Sequence, residues 1–416
     1  MILLKKYGII KEKEIKGEKM LNSKGVRELA YVVRIAEVRD IEGVNNQVAV
    51  VNGWTVFVKR DEFKAGDLAV YFEIDSRVPE KECFEFLRKY NFKVKTQKFV
   101  KGKVISQGLV IKPEDLGLTN VNEGDFLTEK LGVTYYEAED NARKADYSKY
   151  TSMQARHKKF FKTKLGKWLM KHEWGRKLCF FFLGKKKDKK TDWPAWVVKT
   201  DEERVQNCFN AMKALDAQWI ATEKIDGTST TFTMKQDKPK KRELIVCSRN
   251  VVFNSPQKEE KNFYKDTDGN VYLEMAQKYR MYDVLSHILN SDKSMEWVTI
   301  QGETYGGGIQ KRNYGNEHRL AIFNLIVKYA GHAPQRANPM EMQNFFNTFN
   351  EFGFNLETVP VLGYVTLPET CDELLAAAGG PSQIDGGMRE GIVFRTLDGV
   401  HSFKAVDNEF LLKYHG

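Results

Sequence analysis

A lysine stands between an apolar run and a glycine-bearing turn in Thr222-Glu223-Lys224-Ile225-Asp226-Gly227-Thr228-Ser229. A lysine amine is a nucleophile only after losing its proton. Burial and nearby cations lower its pKa, whereas a close carboxylate alone raises it. A hydrated Mg2+ beside the amine would meet that need, with Asp226 as its outer-sphere anchor. The chemistry expected of Lys224 is attack on a phosphorus centre. Taken alone, the same residues also fit an ordinary hairpin turn.

Four further residues could serve that chemistry. Arg249 follows the short apolar stretch Val246-Cys247-Ser248 and could grip a phosphate or ribose. Glu303 lies between the run Val298-Thr299-Ile300-Gln301-Gly302 and Gly306-Gly307-Gly308, whose glycines permit close backbone approach to a ligand. Glu390 opens Gly391-Ile392-Val393-Phe394-Arg395, and Lys404 lies in Ser402-Phe403-Lys404-Ala405-Val406. Glu303 and Glu390 suit metal and ribose contacts, and Lys404 suits an α-phosphate during transfer.

The elements that must position these groups are mixed. Trp219-Ile220-Ala221 reads as a strand leading into the lysine turn. Thr200 is expected to N-cap a helix whose first turn carries Asp201, Glu202 and Glu203. Toward the N-terminus, residues 29–38, 48–51, 54–58, 68–72 and 103–111 read as short strands, and Asn52-Gly53 signals a two-residue hairpin. Strands at this spacing suggest an OB-fold barrel over residues 1–140. Arg88 to Phe99 alternates charge with aromatics, which predicts either a nucleic-acid contact or a strand with one solvated basic face.

Between the two regions, residues 141–199 form a basic helical insertion. From Thr151 to Lys199 there are 15 Lys+Arg against 3 Asp+Glu, so this stretch carries more than the whole chain's net charge of +10. Phe160, Phe161, Leu165, Trp168, Leu169 and Met170 recur at roughly helical spacing. Three readings compete there: a helix contacting RNA, a helix packed on its neighbours with an exposed lysine face, and a peripheral membrane helix. Residues 151–190 could accordingly meet a protein or membrane-surface partner, and the lysine run 185–190 could serve nuclear import. Residues 200–416 make the third domain, and the fold class expected is α+β.

The chain's 42% hydrophobic residues fit globular domains, and the basic balance fits a polyanionic partner. Five scattered cysteines without a Cys-x-x-Cys pair argue against a disulfide framework or zinc site and for a reducing, intracellular compartment, cytoplasmic or nuclear. No stretch of about 20 apolar residues is present, so no transmembrane segment is expected. The N-terminal apolar run is too short for a signal peptide.

In this order the segments resemble the covalent nucleotidyltransferases: ATP-dependent DNA ligases, RNA ligases and mRNA capping enzymes. Lys224-Ile225-Asp226-Gly227 looks like motif I and Ser248-Arg249 like motif Ia. Ile322-Phe323-Asn324-Leu325 looks like motif III, Glu390-Gly391-Ile392-Val393 like motif IV, and Phe403-Lys404 like motif V. The loop from Gly302 to Gln310 is similar to one in nick-sealing RNA ligases. Only residues 405–416 follow Lys404, which argues against the trailing OB domain of DNA ligases and capping enzymes. Gly53-Trp54, Gly66-Asp67, Tyr71 to Ser76 and Ser106-Gln107-Gly108-Leu109 look like the leading OB module of one such RNA ligase family, and Lys199 to Asn207 like its linker.

The resemblance implies an ATP-dependent RNA ligase, expected as a monomer, that seals 3′-OH/5′-phosphate RNA ends or nicked duplexes containing RNA, in RNA repair. It would use ATP with Mg2+, or Mn2+ in its place. It implies a Lys224–AMP intermediate, with Lys404 as the second catalytic residue. Glu223 would meet the adenine edge, Arg249 the AMP and Glu303 the ribose or metal. Ile225 would belong to the nucleotide site, Arg204 would face the triphosphate, and Asp226 and Glu390 would serve the metal. Two residues depart from the pattern. Ser402 stands where motif V commonly has a lysine, leaving Lys413 as a substitute phosphate contact, and Asn324 stands where motif III usually has a carboxylate. A nucleic-acid-binding protein that has lost ligation and a capping-type guanylyltransferase are the alternatives.

Overall fold

The computed structural model describes residues 28–135, 158–183, 193–199, 201–237, 242–253 and 269–415. The N-terminal strands are β1 (Ala30–Arg34), β2 (Glu37–Asp40), β3 (Asn46–Val51), β4 (Trp54–Lys59), β5 (Leu68–Phe72), β6 (Val104–Ser106) and β7 (Leu109–Ile111). β1, β5 and β7 pair antiparallel in one sheet, and β2, β3 and β4 in another. Hydrogen bonds from Gln107 N to Thr55 O, 2.7 Å, and from Phe57 N to Ser106 Oγ, 3.0 Å, join β4 to the closing segment. These links draw the strands into the expected OB-fold barrel.

The local chemistry explains several of its corners. Asn52 and Gly53 both have positive φ, 48° and 78°, as a two-residue hairpin requires. Gly108 interrupts the closing strand where a Cβ would lie 2.4 Å from the Tyr71 ring, so that position accepts glycine alone. Tyr71 in turn donates its hydroxyl to Gln107 O at 2.9 Å.

The charged and aromatic stretch 88–99 departs from the strand reading. Glu82–Tyr90 is a 3-10 helix, and Asn91 and Phe92 take left-handed backbone. Phe92, Lys93 and Val94 are all buried, which breaks the alternation of a solvated strand. Only Gln97–Phe99 is extended. Phe99 stacks on Phe57 at 4.2 Å, and the Lys98 amine donates to Leu412 O in the C-terminal helix. This stretch therefore builds core and a contact to the C-terminal region.

In the insertion, three short helices follow one another: α1 (Lys158–Lys162), α2 (Lys164–Lys171) and α3 (Glu173–Leu183). Phe161 and Cys179 are buried with Phe160, Leu169, Met170 and Leu183 packed against them, forming a small core of the insertion's own.

The C-terminal region holds two sheets. α4 (Val205–Lys213) leads into β8 (Trp219–Lys224), which lies in a five-stranded sheet between β13 (Val361–Val365) and β14 (Gly391–Thr396). β15 (Ser402–Val406) pairs with β14, and the two-residue strand Glu203–Arg204 closes the edge in parallel with β15. The seven-stranded sheet is built on β9 (Thr228–Lys235), β10 (Ile245–Cys247), β11 (Met295–Tyr305) and β12 (Arg319–Tyr329). Its outer face packs on α5 (Met281–Ser291) and α6 (Pro339–Asn350), whose apolar faces carry Leu285, Ile288, Phe346 and Phe349. The smaller sheet buries Trp219, Phe394 and Phe403 against α4, each such side chain contributing about 1.5–3 kcal/mol.

The helix expected to start at Thr200 starts at Val205, with Arg204 as an N-cap that makes no side-chain capping bond. Thr200 lies outside the described residues. Asp201, Glu202 and Glu203 are engaged in long-range pairs and strand pairing instead of a first helical turn.

Candidate active site

Lys224 ends β8 and β9 begins at Thr228, so Ile225-Asp226-Gly227 crosses from the five-stranded sheet to the seven-stranded one. Sterics fix this crossing: a Cβ on Gly227 would meet Thr304 O at 2.4 Å. The Ile225 side chain is buried in a cluster with Tyr305, Ala321 and Val359. A cavity of about 360 Å³ opens above the crossing, and its wall includes Lys224, Asp226, Arg249, Glu303, Glu390 and Lys404. Glu223 and Ile225 also reach this wall.

The charge balance around the amine is set by carboxylates. Lys224 Nζ donates to Glu390 Oε2 at 2.7 Å. Burial works to lower the lysine's pKa, but Glu390, Glu303 and Asp226 outweigh it and hold the amine protonated above its usual range. The protein by itself thus presents the carboxylate-dominated case, opposite to what nucleophilic attack needs. Glu303 shows the reciprocal effect. Burial, then repulsion from Glu390 and Asp226, pushes its carboxyl up to about 8 against the opposing pull of Lys224.

Asp226 is buried, and its Oδ1 pairs with His415 Nε2 at 3.0 Å. Its Oδ2 is buried with no hydrogen-bond partner among the described residues. That hydrogen bond, opposed by burial, raises the His415 pKa. No three His, Cys, Asp or Glu side chains among the described residues are arranged to enclose an ion. What they offer is an acceptor atom at Asp226, the Glu390 carboxylate and a crowded, partly neutralised Glu303. This donor set fits a divalent cation that keeps several of its waters, as Mg2+ does.

Two cations, Lys404 and Arg249, face the cavity. Lys404 Nζ lies 3.0 Å from Asp201 Oδ1, and Arg249 Nη2 lies 2.5 Å from Asp201 Oδ2. Burial lowers the Lys404 pKa, offset in part by Asp201 and reinforced by Lys224 and Arg204. Asp201 therefore holds both cations of this wall through one carboxylate.

Its neighbour Glu202 takes the other side of the linker. Ser402 donates to Glu202 Oε2, and Arg395 Nη2 and Arg336 Nη1 lie 3.2 and 3.7 Å from Oε1. Burial would raise the Glu202 pKa, but the two arginines and the Ser402 bond bring it down. Ser402 is thus spent on the linker. Lys413 does not replace it, since it stands over the Tyr414 ring at 5.2 Å, away from the cavity wall.

Three further placements refine the expectations. The Glu223 carboxylate accepts from Ser382 Oγ and from Gln383 N at 2.5 and 2.7 Å. With both oxygens so engaged and only 1% of the residue exposed, it anchors the 382–383 loop at the cavity wall. Arg204 lies off the cavity wall and stacks on Trp54 of the barrel at 5.4 Å, with burial lowering its pKa. Asn324 is buried and donates to Gln301 Oε1 at 2.9 Å, so motif III brings no metal-facing group from that residue.

His415 and Ser382 escaped the sequence reading, and Asp201 reads there only as a first-turn carboxylate. Their partners lie far away along the chain, and a pairing of that kind leaves no periodicity to detect.

Comparison with known proteins places this geometry. Residues 217–415 match the RNA ligase family and residues 29–113 an OB-fold domain. A Naegleria gruberi RNA ligase solved as a mutant with ATP and Mn is 27% identical over 94% of this chain and 100% of its own, with a TM-score of 0.63. The same organism's ligase with PPi is 27% identical over 93% of this chain and 99% of its own, with a TM-score of 0.61. A mutant with AMP and Mn is 26% identical at the same coverage, with a TM-score of 0.62. Curated protein sequences give no match.

Proposed function

We propose, from the match of residues 217–415 to the RNA ligase family behind an OB-fold domain, that the chain is an ATP-dependent RNA ligase that seals 3′-OH/5′-phosphate RNA ends or nicks, in RNA repair, through AMP carried on Lys224. The observation that supports this reading is the seam itself. One cavity brings a half-buried lysine, the acceptors Asp226, Glu303 and Glu390, and the cations Lys404 and Arg249 together.

In the first step Lys224 Nζ bonds to the α-phosphorus of ATP as the bond to the bridging oxygen breaks and pyrophosphate leaves. The proton shed by the amine has Glu390 Oε2 as its acceptor at 2.7 Å. A divalent cation bound beside the three carboxylates would offset the phosphate charge and lower the amine's pKa. Lys404 and Arg249 would oppose the negative charge that builds on the phosphoryl oxygens, once Asp201 releases them. The RNA 5′-phosphate then takes AMP from Lys224, and the 3′-OH displaces AMP to form the phosphodiester.

Glu223 acts here through the loop it holds, and Arg204 through the barrel it touches. Ser402 being committed to Glu202 leaves Lys404 as that strand's cation at the cavity, which is enough for the role proposed.

Incubation with α-labelled ATP and Mg2+ tests the reading. Label on the protein that survives alkali and is released by hot acid, as a lysyl phosphoramidate is, absent from Lys224→Ala, together with sealed product from a nicked duplex bearing an RNA 3′-OH, is expected. Label persisting in Lys224→Ala would overturn the assignment. Labelling with GTP in place of ATP would point to a capping-type reaction.

A further inference from the structure

The insertion has two apolar faces, and only one of them is covered by its own helices. The inner face is the small core around Phe161 and Cys179. On the outer face, Leu165 and Trp168 lie one helical turn apart on α2, while Trp174, Leu178 and Phe182 follow at four-residue spacing on α3. Their exposures are 59, 49, 54, 44 and 72%. The Trp168 and Trp174 rings meet at 5.5 Å, joining the two helices' stripes into a single ridge, with His172 packed 5.2 Å from Trp168.

Basic charge surrounds this ridge. Residues 158–183 hold eight Lys and Arg against Glu173 alone, and Lys162, Lys167 and Lys171 are exposed. No helix among the described residues is long and apolar enough to cross a membrane.

We infer that the α2–α3 ridge docks the ligase onto an anionic lipid surface. Leu165, Trp168, Trp174 and Leu178 enter the boundary between headgroups and acyl chains, and the lysines meet the lipid phosphates and carboxylates. A short helix pair with tryptophans and leucines opposite lysines is built for that interface. An RNA occupant accounts for the lysines and for stacking on the tryptophans. It gives no return for Leu165 and Leu178, which have no π-face and gain only by entering hydrocarbon. The inner face packs the insertion's own helices together and leaves the ridge exposed. This inference is independent of the ligation chemistry.

The experiment uses the full chain and vesicles of phosphatidylcholine, with and without phosphatidylserine. Flotation should recover the protein with the anionic vesicles, about tenfold or more above the neutral ones. Brominated acyl chains should quench tryptophan emission. Leu165→Gln with Leu178→Gln should weaken vesicle binding by about tenfold or more while nick sealing in solution stays unchanged. Trp168→Phe with Trp174→Phe keeps the ridge apolar and should keep binding while losing the quench, which separates loss of contact from loss of fold. Absence of anionic vesicle binding by the parent chain would overturn the inference. So would full binding by the glutamine variant. Loss of nicked-duplex binding in that variant, without vesicle binding by the parent, would assign the ridge to RNA.

Discussion

The cleft and the insertion break the ordinary rule of burial in opposite directions. Around Lys224 the protein buries charge, with Glu223, Asp226 and Glu390 all nearly inaccessible to solvent. Around Trp168 it exposes hydrocarbon. Burying a charge is costly unless it is paired, and most cleft charges are paired: Lys224 with Glu390, Asp226 with His415, Asp201 with Lys404 and Arg249. The strain that remains is electrostatic and local, on Glu303. In the insertion the cost is a face of apolar area left in water. The first kind of violation concentrates reactivity in a fixed geometry. The second would be relieved by the membrane contact proposed for it.

Substitutions can break this contrast. The largest effect belongs to Lys224→Ala, which should reduce nucleotide labelling and sealing on the order of 10⁴-fold or more, as loss of a nucleophile does. RNA binding by the same variant, read by gel shift, should survive. Lys404→Ala comes next, with a fall of about 10²–10³-fold in kcat for labelling, the scale seen when one donor to a developing oxyanion is removed. If Lys404→Ala labels normally, the phosphate side of the cleft has been misassigned.

Glu303→Gln sharpens the electrostatic half. Its carboxyl titrates near 4.5 in the unfolded chain and at about 8 when folded, so between those values the folded state binds more protons. Stability then falls as pH rises through this window, and the penalty is complete above it. Glu303→Gln should therefore melt higher than the parent at alkaline pH, with the gap closing toward acid. Added Mg2+ should stabilise the parent more than the variant. Thermal melts across that range decide it.

Asp201→Asn is expected to act more gently, because its pairs with Arg249 and Lys404 leave it half exposed and screened. Freeing those cations should lower KM for ATP by about two- to fivefold, measured by labelling at varied ATP. The smallest effect belongs to the other half of the comparison. Leu165→Gln with Leu178→Gln should change nick sealing in solution less than about twofold, as exposed substitutions away from a site do.

Much of this contrast could be read along the chain. Lys224, Arg249, Glu303, Glu390 and Lys404 were legible because each sits in a short segment with its own strand or glycine signal, and the structure brings all five to one cavity. The barrel's hairpin was legible because Asn52-Gly53 has few other conformations to choose from. Roles that depend on distant partners were not. Glu223 reads as a ligand contact, and its hold on Ser382 and Gln383 could not be seen along the chain. Asp201 and Glu202 look like helix-starting carboxylates until Lys404, Arg249, Arg395 and Ser402 claim them. The strand reading of 88–99 misled for a related reason: Lys93 is buried between Phe92 and Val94, which breaks the alternation. In the insertion, helical spacing was visible, yet it could not say that Phe161 faces inward and Trp168 outward.

The crossing of the lysine turn between two sheets sorts the cleft's groups by what they ride on. Lys224, Glu390 and Lys404 belong to β8, β14 and β15 or their ends, all in the smaller sheet. Glu303 and Arg249 belong to β11 and the end of β10, in the larger one. A small rotation of one sheet against the other would leave the Lys224–Glu390 distance intact while changing the separation of Lys224 from Glu303 and of Lys404 from Arg249. The amine's proton acceptor is thereby built into its own half of the jaw. Under the proposed function, the groups assigned to the nucleotide's sugar and phosphates are divided across the gap, so closure would register a bound substrate without disturbing the partner nearest Lys224.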